Sequence, residues 1–301
     1  MLLPQTDLLL LGVKDRRKSR SIFSRTMNKP HRQSAKPRAA RSRARGRADR
    51  KLCLIRIPGL PEIRKGEDLA KSIVAAARKA GLRFEAGDVL VVAQKIVSKA
   101  EGLVVSLGKV IPSAKAQALA AQLKKDPRAI ELVLRESRRI LRSDRVLITE
   151  THHGFVCANA GVDHSNVAPE DGGERVLLLP IDPDGSADKL RRHLIGVFGV
   201  AIGVIISDSF GRPWRKGTVG VALGADGLPA FVDLRGRPDL FGRELLVTET
   251  GFADEIAAAA GLLMGQADEA IPMVLVRGLA WSAPDQPAAA LVRPAEHDLF
   301  R

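Results

Sequence analysis

The sequence contains no tyrosine, and nine phenylalanines with two tryptophans bring its aromatic content to only 4% of 301 residues. Its core must therefore be mainly aliphatic. Cysteine is scarce as well: Cys53 and Cys157 are too few for a disulfide framework and are expected as ordinary buried thiols in a reducing cytoplasm. No uninterrupted apolar run reaches the roughly 20 residues that a membrane helix needs. The opening Met1–Gly12 stretch has no basic region ahead of its short apolar run and carries Pro4 and Asp7, so it does not read as a signal peptide. There is no G-x-x-x-x-G-K-[ST] run, no G-x-G-x-x-G after a strand and no G-x-S-x-G elbow. Those gaps argue against P-loop ATPases, dehydrogenases and esterases.

What remains is a globular composition, 45% apolar and 27% charged, with a formal net charge of +14. The charge is localised. Residues 1–50 hold fifteen Lys and Arg against Asp7, Asp15 and Asp49, which leaves the rest of the chain at only +2. From Lys14 to Lys51 the composition is Arg, Lys, Ser, Ala and Pro, too poor in large apolar side chains to offset its ordering entropy. Residues 1–51 are therefore expected as a disordered basic arm. Two readings of the arm stay open: nonspecific nucleic-acid binding through phosphate neutralisation, or a solvated tail ahead of an alternative start at Met27. The folded body is expected over 52–285, with a Pro- and Ala-rich tail over 286–301.

Along the body, Leu52–Ile57 reads as a strand closed by Pro58-Gly-Leu-Pro61, and Asp68–Lys79 as an amphipathic helix. Asp88–Val97 reads as one buried strand. Helices are expected over Ala114–Leu123 and Asp126–Leu141, and strands over Arg145–Thr149, Gly154–Asn159 and Arg175–Leu179. A helix capped by Ser186 should run to Phe198. Val200–Ile206 should be a strand that ends at Ser207-Asp208-Ser209. Short strands near Val219–Leu223 and Ala230–Val232, a helix over Phe252–Met264 and a strand over Met273–Arg277 complete the series. Strands and helices mix without strict alternation, so the fold class is α+β, with mixed sheets and helices.

Four segments carry groups suited to chemistry. In Ile205–Gly217 a strand delivers Asp208 and Ser209, hard oxygen donors for a divalent metal, ahead of Arg212, Arg215 and Lys216, cationic donors for phosphate or carboxylate. An Asp-Ser turn cap beside solvated charges is the plainer alternative. Ala160–Asn166 is a Gly-flanked loop whose Asp163, Ser165 and Asn166 can ligate a metal or bind nucleotide, and equally form an Asx turn. Lys95 and Lys99, at the end of the apolar run, can act as point charges against phosphate. Met264–Glu269 closes a helix whose C-terminal dipole favours cations. His152 and His153 invite a zinc reading, but neighbouring strand residues point to opposite faces and no further ligand stands at a suitable spacing.

These segments, in this order, resemble the coenzyme F420-0:L-glutamate (gamma-glutamyl) ligase family. The resemblance is carried by Gly59-Leu-Pro-Glu62, Asp88–Gly102, Leu147-Ile-Thr-Glu-Thr151, Ala160–Val167, Ser207–Arg215, Leu246-Val-Thr-Glu249 with Ala253-Asp-Glu-Ile256, Met264-Gly-Gln266 and Val276-Arg-Gly278. It implies an intertwined α+β homodimer that uses GTP as co-substrate, two divalent ions (Mg2+ or Mn2+) and K+. On matching positions it implies Asp163, Asp208, Ser209 and Gln266 as metal ligands. It likewise implies nucleotide contacts from Leu60, Pro61, Glu62, Ile63, Gln94, Lys99, Asn166, Met264, Gly265, Gln266, Ala267, Asp268, Glu269, Ala270 and Ile271. Gln94 stands where relatives commonly have a small hydroxyl residue.

The implied reaction adds one or more L-glutamates to F420-0 or dehydro-F420-0 through an acyl phosphate. Asp208 is its central catalytic residue, and Arg212 and Arg215 are assigned from their charge as a carboxylate clamp. Some relatives carry an additional flavin-binding reductase domain, whose activity is not expected from a chain that stops at Arg301. The alternatives are a related nucleotide-dependent ligase or kinase acting on another carboxylate, and a nucleic-acid-binding protein led by the basic arm. The expected location is cytoplasmic.

Overall fold

The computed structural model describes residues 51–169 and 173–298. The basic arm expected over 1–51 lies outside the described residues except for Lys51. The first part of the described chain runs β1 (Cys53–Arg56), α1 (Leu69–Lys79), β2 (Val89–Ala93), α2 (Gln94–Glu101) and β3 (Val104–Ser106). Then come α3 (Ala114–Leu123), α4 (Pro127–Arg135), β4 (Ser137–Ser143), β5 (Leu147–Thr151), β6 (Val156–Ala158) and β7 (Arg175–Leu177). The last part is α5 (Pro183–Phe198), β8 (Gly203–Arg212), β9 (Arg215–Asp226), β10 (Val232–Asp233), β11 (Glu249–Thr250), α6 (Phe252–Met264) and β12 (Met273–Arg277). The mixed α and β architecture expected from the sequence is present. No helix among the described residues is long and apolar enough to cross a membrane.

A five-stranded sheet in the order β1-β12-β2-β8-β9 forms the centre, with β2 and β8 parallel and every other neighbour antiparallel. Strands β2 and β12 and the first half of β8 are continuous aliphatic runs because both their faces are covered. Leu90, Val92, Val204, Ile206, Met273 and Leu275 pack on one side with Ile73 and Ala77 of α1 and Leu190 and Leu194 of α5. On the other side Val89, Val91, Ile205, Val274 and Val276 meet Ala253, Ile256, Ala257 and Ala260 of α6. The alternation along each strand is the pleat at work. Close approach of α6 is possible because Gly220 has no side chain: a Cβ there would stand 2.4 Å from the Ala257 carbonyl oxygen.

At the edge of this layer, Arg277 grips the buried Asp88 through two bonds of 2.8 and 2.7 Å. That bidentate geometry satisfies a carboxylate taken out of water. Residues 103–181 form a smaller region, with β4-β5-β6 and β3-β7 sheets. Its own core gathers Ala116, Ala120, Ile130, Val133 and Leu147.

Several element boundaries differ from expectation. The run expected as one strand over Asp88–Val97 is a strand only to Ala93; Gln94–Glu101 is helical. Ile96 and Val97 are buried as members of a helix face, and apolar periodicity over so few residues does not separate the two states. The helix expected to reach Leu141 ends at Arg135, and Ser137–Ser143 pairs with β5 instead, long-range pairing overriding helix propensity. Helix α5 starts three residues before Ser186, with Pro183 in its first turn and the Asp182 carboxylate accepting from the Gly185 amide. Strand β8 does not end before Ser207 but continues to Arg212 as half of a hairpin with β9.

Two further expectations change. Cys53 is exposed on the edge strand, whereas Cys157 is buried as expected. The segment expected as a tail from 286 packs back: the Gln286 amide donates to the Leu228 carbonyl, and the Ala288 amide to the Asp184 carboxylate.

Candidate functional site

The parallel pairing of β2 with β8 stops at Ala93 opposite Ser207; β2 ends there, while β8 runs on into its hairpin with β9. Carboxyl ends of parallel strands are where sheets of this kind present ligand groups. Here the aliphatic runs give way to Gln94-Lys95 on one chain segment and Asp208-Ser209 on the other. A cavity of about 920 Å3 opens over them. That is near the upper end of the roughly 300–1,000 Å3 typical of small-molecule sites. Its walls come from residues 60–63, the start of α2, residues 157–168 and the loop 264–272 after α6.

Every residue expected to contact nucleotide or metal lines this cavity. Leu60, Pro61, Glu62 and Ile63 form one wall, and Met264 through Ile271 another. Gln94 and Lys99 project from α2, Asp163 and Asn166 from the 157–168 loop, and Asp208 and Ser209 from β8. Segments more than 200 residues apart in sequence converge here. The assigned arginines do not join them. Arg212 and Arg215 lie at the tip of the β8–β9 hairpin, outside the cavity lining. There an Arg212 Nη2 donates to the Lys216 carbonyl at 3.0 Å. His152 and His153 sit in a turn and bond backbone carbonyls of Arg135 and Pro180, consistent with turn histidines rather than a zinc pair.

The polar groups of the cavity are tied together. The Ser209 hydroxyl donates to the Gln266 amide oxygen at 2.9 Å, linking β8 to the loop after α6. The Asn166 amide reaches the Ala267 carbonyl at 3.3 Å, joining the two loops across the opening. The Ser98 hydroxyl donates to the Gln94 side chain at 3.0 Å inside α2. Lys99 stands 3.7 Å from a Glu62 carboxylate oxygen. The Glu269 carboxylate accepts from the Ala267 amide at 2.8 Å and so folds the 264–272 loop on itself.

Backbone strain concentrates here as well. Asn159, Ala160 and Asn166 in one wall and Ala270 in another have positive φ, a conformation unfavourable for residues other than glycine. Between them Gly161, at φ +72, has no room for a Cβ, which would meet the Leu179 side chain at 2.6 Å. The loop that holds Asp163 is thus fixed by packing as well as by two backbone bonds to Leu177.

Two carboxylates in the cavity behave differently. Burial pushes the Asp208 carboxyl up to about 6, and the Asp163 charge adds to the shift, while the Ser209 amide, Lys95 and Gln94 oppose it. Burial also pushes Asp163 upward, but the Lys95 ammonium and the Ser165 amide and hydroxyl outweigh it and hold the carboxyl below its usual range. Cys157 lines the same cavity, its thiol pushed up to about 12 by burial and by the Asp208 charge. Burial of this kind disfavours the thiolate and with it nucleophilic reactivity.

The formal charge of the lining is negative, with Glu62, Asp163, Asp208, Asp268 and Glu269 against Lys95 and Lys99. Lys95, read from the sequence as a point charge against phosphate or a solvated strand end, is not among the residues that the resemblance implies. Its place after an apolar run reads as a solvated strand end, and only the turn into α2 carries it into the cavity. Phe210 and Cys157 were missed for a different reason: nothing in their local sequence distinguishes them from core residues.

A profile of the F420-0:Gamma-glutamyl ligase family matches residues 59–278, which contain every wall of the cavity. Among curated proteins, the coenzyme F420:L-glutamate ligase of Methanothermobacter thermautotrophicus is 46% identical over 253 residues, covering 83% of this chain and 99% of the relative. The protein of the same name from Methanopyrus kandleri is 46% identical over 256 residues, 82% of this chain and 98% of the relative. That from Methanocaldococcus jannaschii is 44% identical over 243 residues, 80% and 94% of the two chains.

Proposed function

The chain belongs to the F420-0:gamma-glutamyl ligase family, and from that premise we propose that it joins L-glutamate to F420-0 or its dehydro form at the expense of GTP. The observation that carries this reading is the convergence of all the residues expected at nucleotide and metal in one cavity where the pairing of β2 with β8 stops. Ligation needs activation because a carboxylate has no adequate leaving group. Transfer of the γ-phosphoryl group of GTP to a carboxylate oxygen of the precursor makes an acyl phosphate and releases GDP. The glutamate amine, having lost its proton, attacks the acyl carbon; the C–O bond to phosphate breaks and the amide remains. One or more glutamates follow by repetition.

The residues suit the cations this chemistry calls for. Asp163, Asp208, Ser209 and Gln266 present carboxylate, hydroxyl and amide oxygens, the hard donors that Mg2+ and Mn2+ accept. No group of three or more His, Cys, Asp or Glu side chains able to hold a metal occurs among the described residues. A shell with few carboxylates, completed by water and substrate phosphate, is the usual arrangement for Mg2+. Two divalent ions held there would offset charge on the phosphoryl oxygens. A potassium ion is the third cation in the reading. The chain's own part is to orient: the start of α2 turns its amides toward an anion, and Lys99 adds a positive charge from the last turn of the same helix. The segments 60–63 and 264–271 enclose the nucleotide, and Asp208 fixes the metal side.

Arg212 and Arg215, at the tip of the hairpin that continues β8, would hold a substrate carboxylate only where the substrate extends beyond the cavity lining. The working unit is a homodimer. Its support here is the 233–248 segment, where Leu240, Phe241, Leu246 and Val247 are exposed together, an apolar display that a lone soluble chain rarely keeps. Incubation of F420-0 with protein, glutamate, GTP and Mn2+, followed by mass spectrometry, tests the activity. Products heavier by glutamyl units, formed only with GTP and metal, are expected. GTP hydrolysis without such products would redirect the reading to a ligase or kinase for another carboxylate.

A further inference from the structure

Lys95 is the most heavily engaged cation of the cavity. Its ammonium lies 2.5 Å from Asp163 Oδ2 and 3.1 Å from the Ser165 carbonyl, and also bonds the Ser165 hydroxyl. An ammonium has three protons to donate, and three oxygens are in place for them. The Asp163 carboxylate is equally committed. Its Oδ1 accepts from the Ser165 amide at 2.8 Å, and its Oδ2 accepts from the Ser165 hydroxyl at 2.9 Å as well as from Lys95. The pair is sheltered, with 24% of the lysine side chain and 37% of the aspartate exposed. It ties the β2–α2 junction to a loop nearly 70 residues further along the chain.

We propose that Lys95 is a tethered counter-cation which competes with a divalent ion for Asp163 and gives up that oxygen when nucleotide phosphates offer its ammonium a replacement. The inference rests on the metal and nucleotide reading above and adds a coupling between the two. A divalent ion that takes Asp163 Oδ2 meets a positive charge already seated on that atom, so metal alone binds poorly. A nucleotide phosphate arriving beside α2 supplies new acceptors for the ammonium. Metal and nucleotide then strengthen each other's binding by the same factor, as linkage requires. Lys95 is in this account a positioning residue, and its effect should be visible without any turnover.

Titration of the protein with Mn2+, following free ion by electron paramagnetic resonance with and without GDP, reads the coupling. The unaltered chain should bind Mn2+ weakly alone and at least tenfold more tightly with GDP. Lys95→Met should bind Mn2+ alone about tenfold more tightly than the unaltered chain, with most of the GDP enhancement gone. Lys95→Arg, which keeps the charge, should retain much of it and guards against a folding defect in the first variant. Unchanged or weaker Mn2+ binding by folded Lys95→Met overturns the inference while leaving the metal reading in place. Failure of the unaltered chain to bind Mn2+ even with GDP overturns both.

Discussion

Strands β2 and β8 each divide into two regions with opposite demands. Val89–Val92 and Val204–Ile206 are fully buried aliphatic runs, covered on both faces. A few residues on, the turn from β2 into α2 delivers Gln94 and Lys95, and β8 delivers Asp208 and Ser209, where polar groups are packed against one another and a carboxyl is driven to about 6 by burial. The first region is built for stability and the second against it. A carboxylate buried within a strand costs free energy unless charge arrives to meet it. A buried carboxyl raised in this way and facing a cavity is the kind of group that binding sites carry.

Substitutions two residues apart should separate the regions. Asp208→Asn is expected to lower glutamyl transfer by about a thousandfold, the scale of losing a key electrostatic group. Its thermal melt should be unchanged or slightly higher, since a buried charge is removed. Ile206→Ala should do the reverse: a loss of about 2–5 kcal/mol in denaturant unfolding, from lost burial and a residual cavity, with near-normal turnover per folded molecule. If Asp208→Asn unfolds the chain, or Ile206→Ala selectively abolishes transfer, the division is wrong.

A comparison at the opposite end of β2 is Asp88, whose bidentate partner Arg277 holds it buried. Asp88→Ala, which removes two bonds from that guanidinium but leaves it Glu85 and the Arg83 carbonyl, should cost about 1–3 kcal/mol in the same unfolding assay. Smaller still is the effect expected at the hairpin tip. Arg215→Ala should raise the KM for glutamate severalfold with kcat little changed if the residue clamps a carboxylate, and should alter neither if its place outside the cavity lining keeps it from the substrate. The least change is chemical. Cys53 should react with iodoacetamide at pH 8, whereas Cys157, its thiol pushed up to about 12, should react only after unfolding; peptide mass mapping distinguishes them.

The legibility of the sequence follows the same division. Elements of one character were readable from periodicity and caps: α3 and α6 fall on the expected residues, and α1 begins behind Asp68, whose carboxylate accepts from the Lys71 amide. Boundaries failed where an apolar run continued through a change of state, as at Ala93–Gln94, or where pairing with a distant strand overrode helical spacing, as at Ser137–Ser143. The site was legible through motif order, which gathers residues whose proximity no local pattern states. Lys95 was read only as a charge for phosphate; its pairing with Asp163 depends on the helix start that the sequence reading missed. Arg212 and Arg215 were chosen for charge alone, and the hairpin carries them away from the cavity lining.

The most direct measurement is a crystal of the protein grown with Mn2+ and GDP, with the anomalous difference signal used to locate the metal. The account predicts a peak within ligand distance of Asp163, Asp208, Ser209 or Gln266, with the guanine nucleotide held between 60–63 and 264–271. A well-occupied metal and nucleotide seated elsewhere on the chain would contradict it.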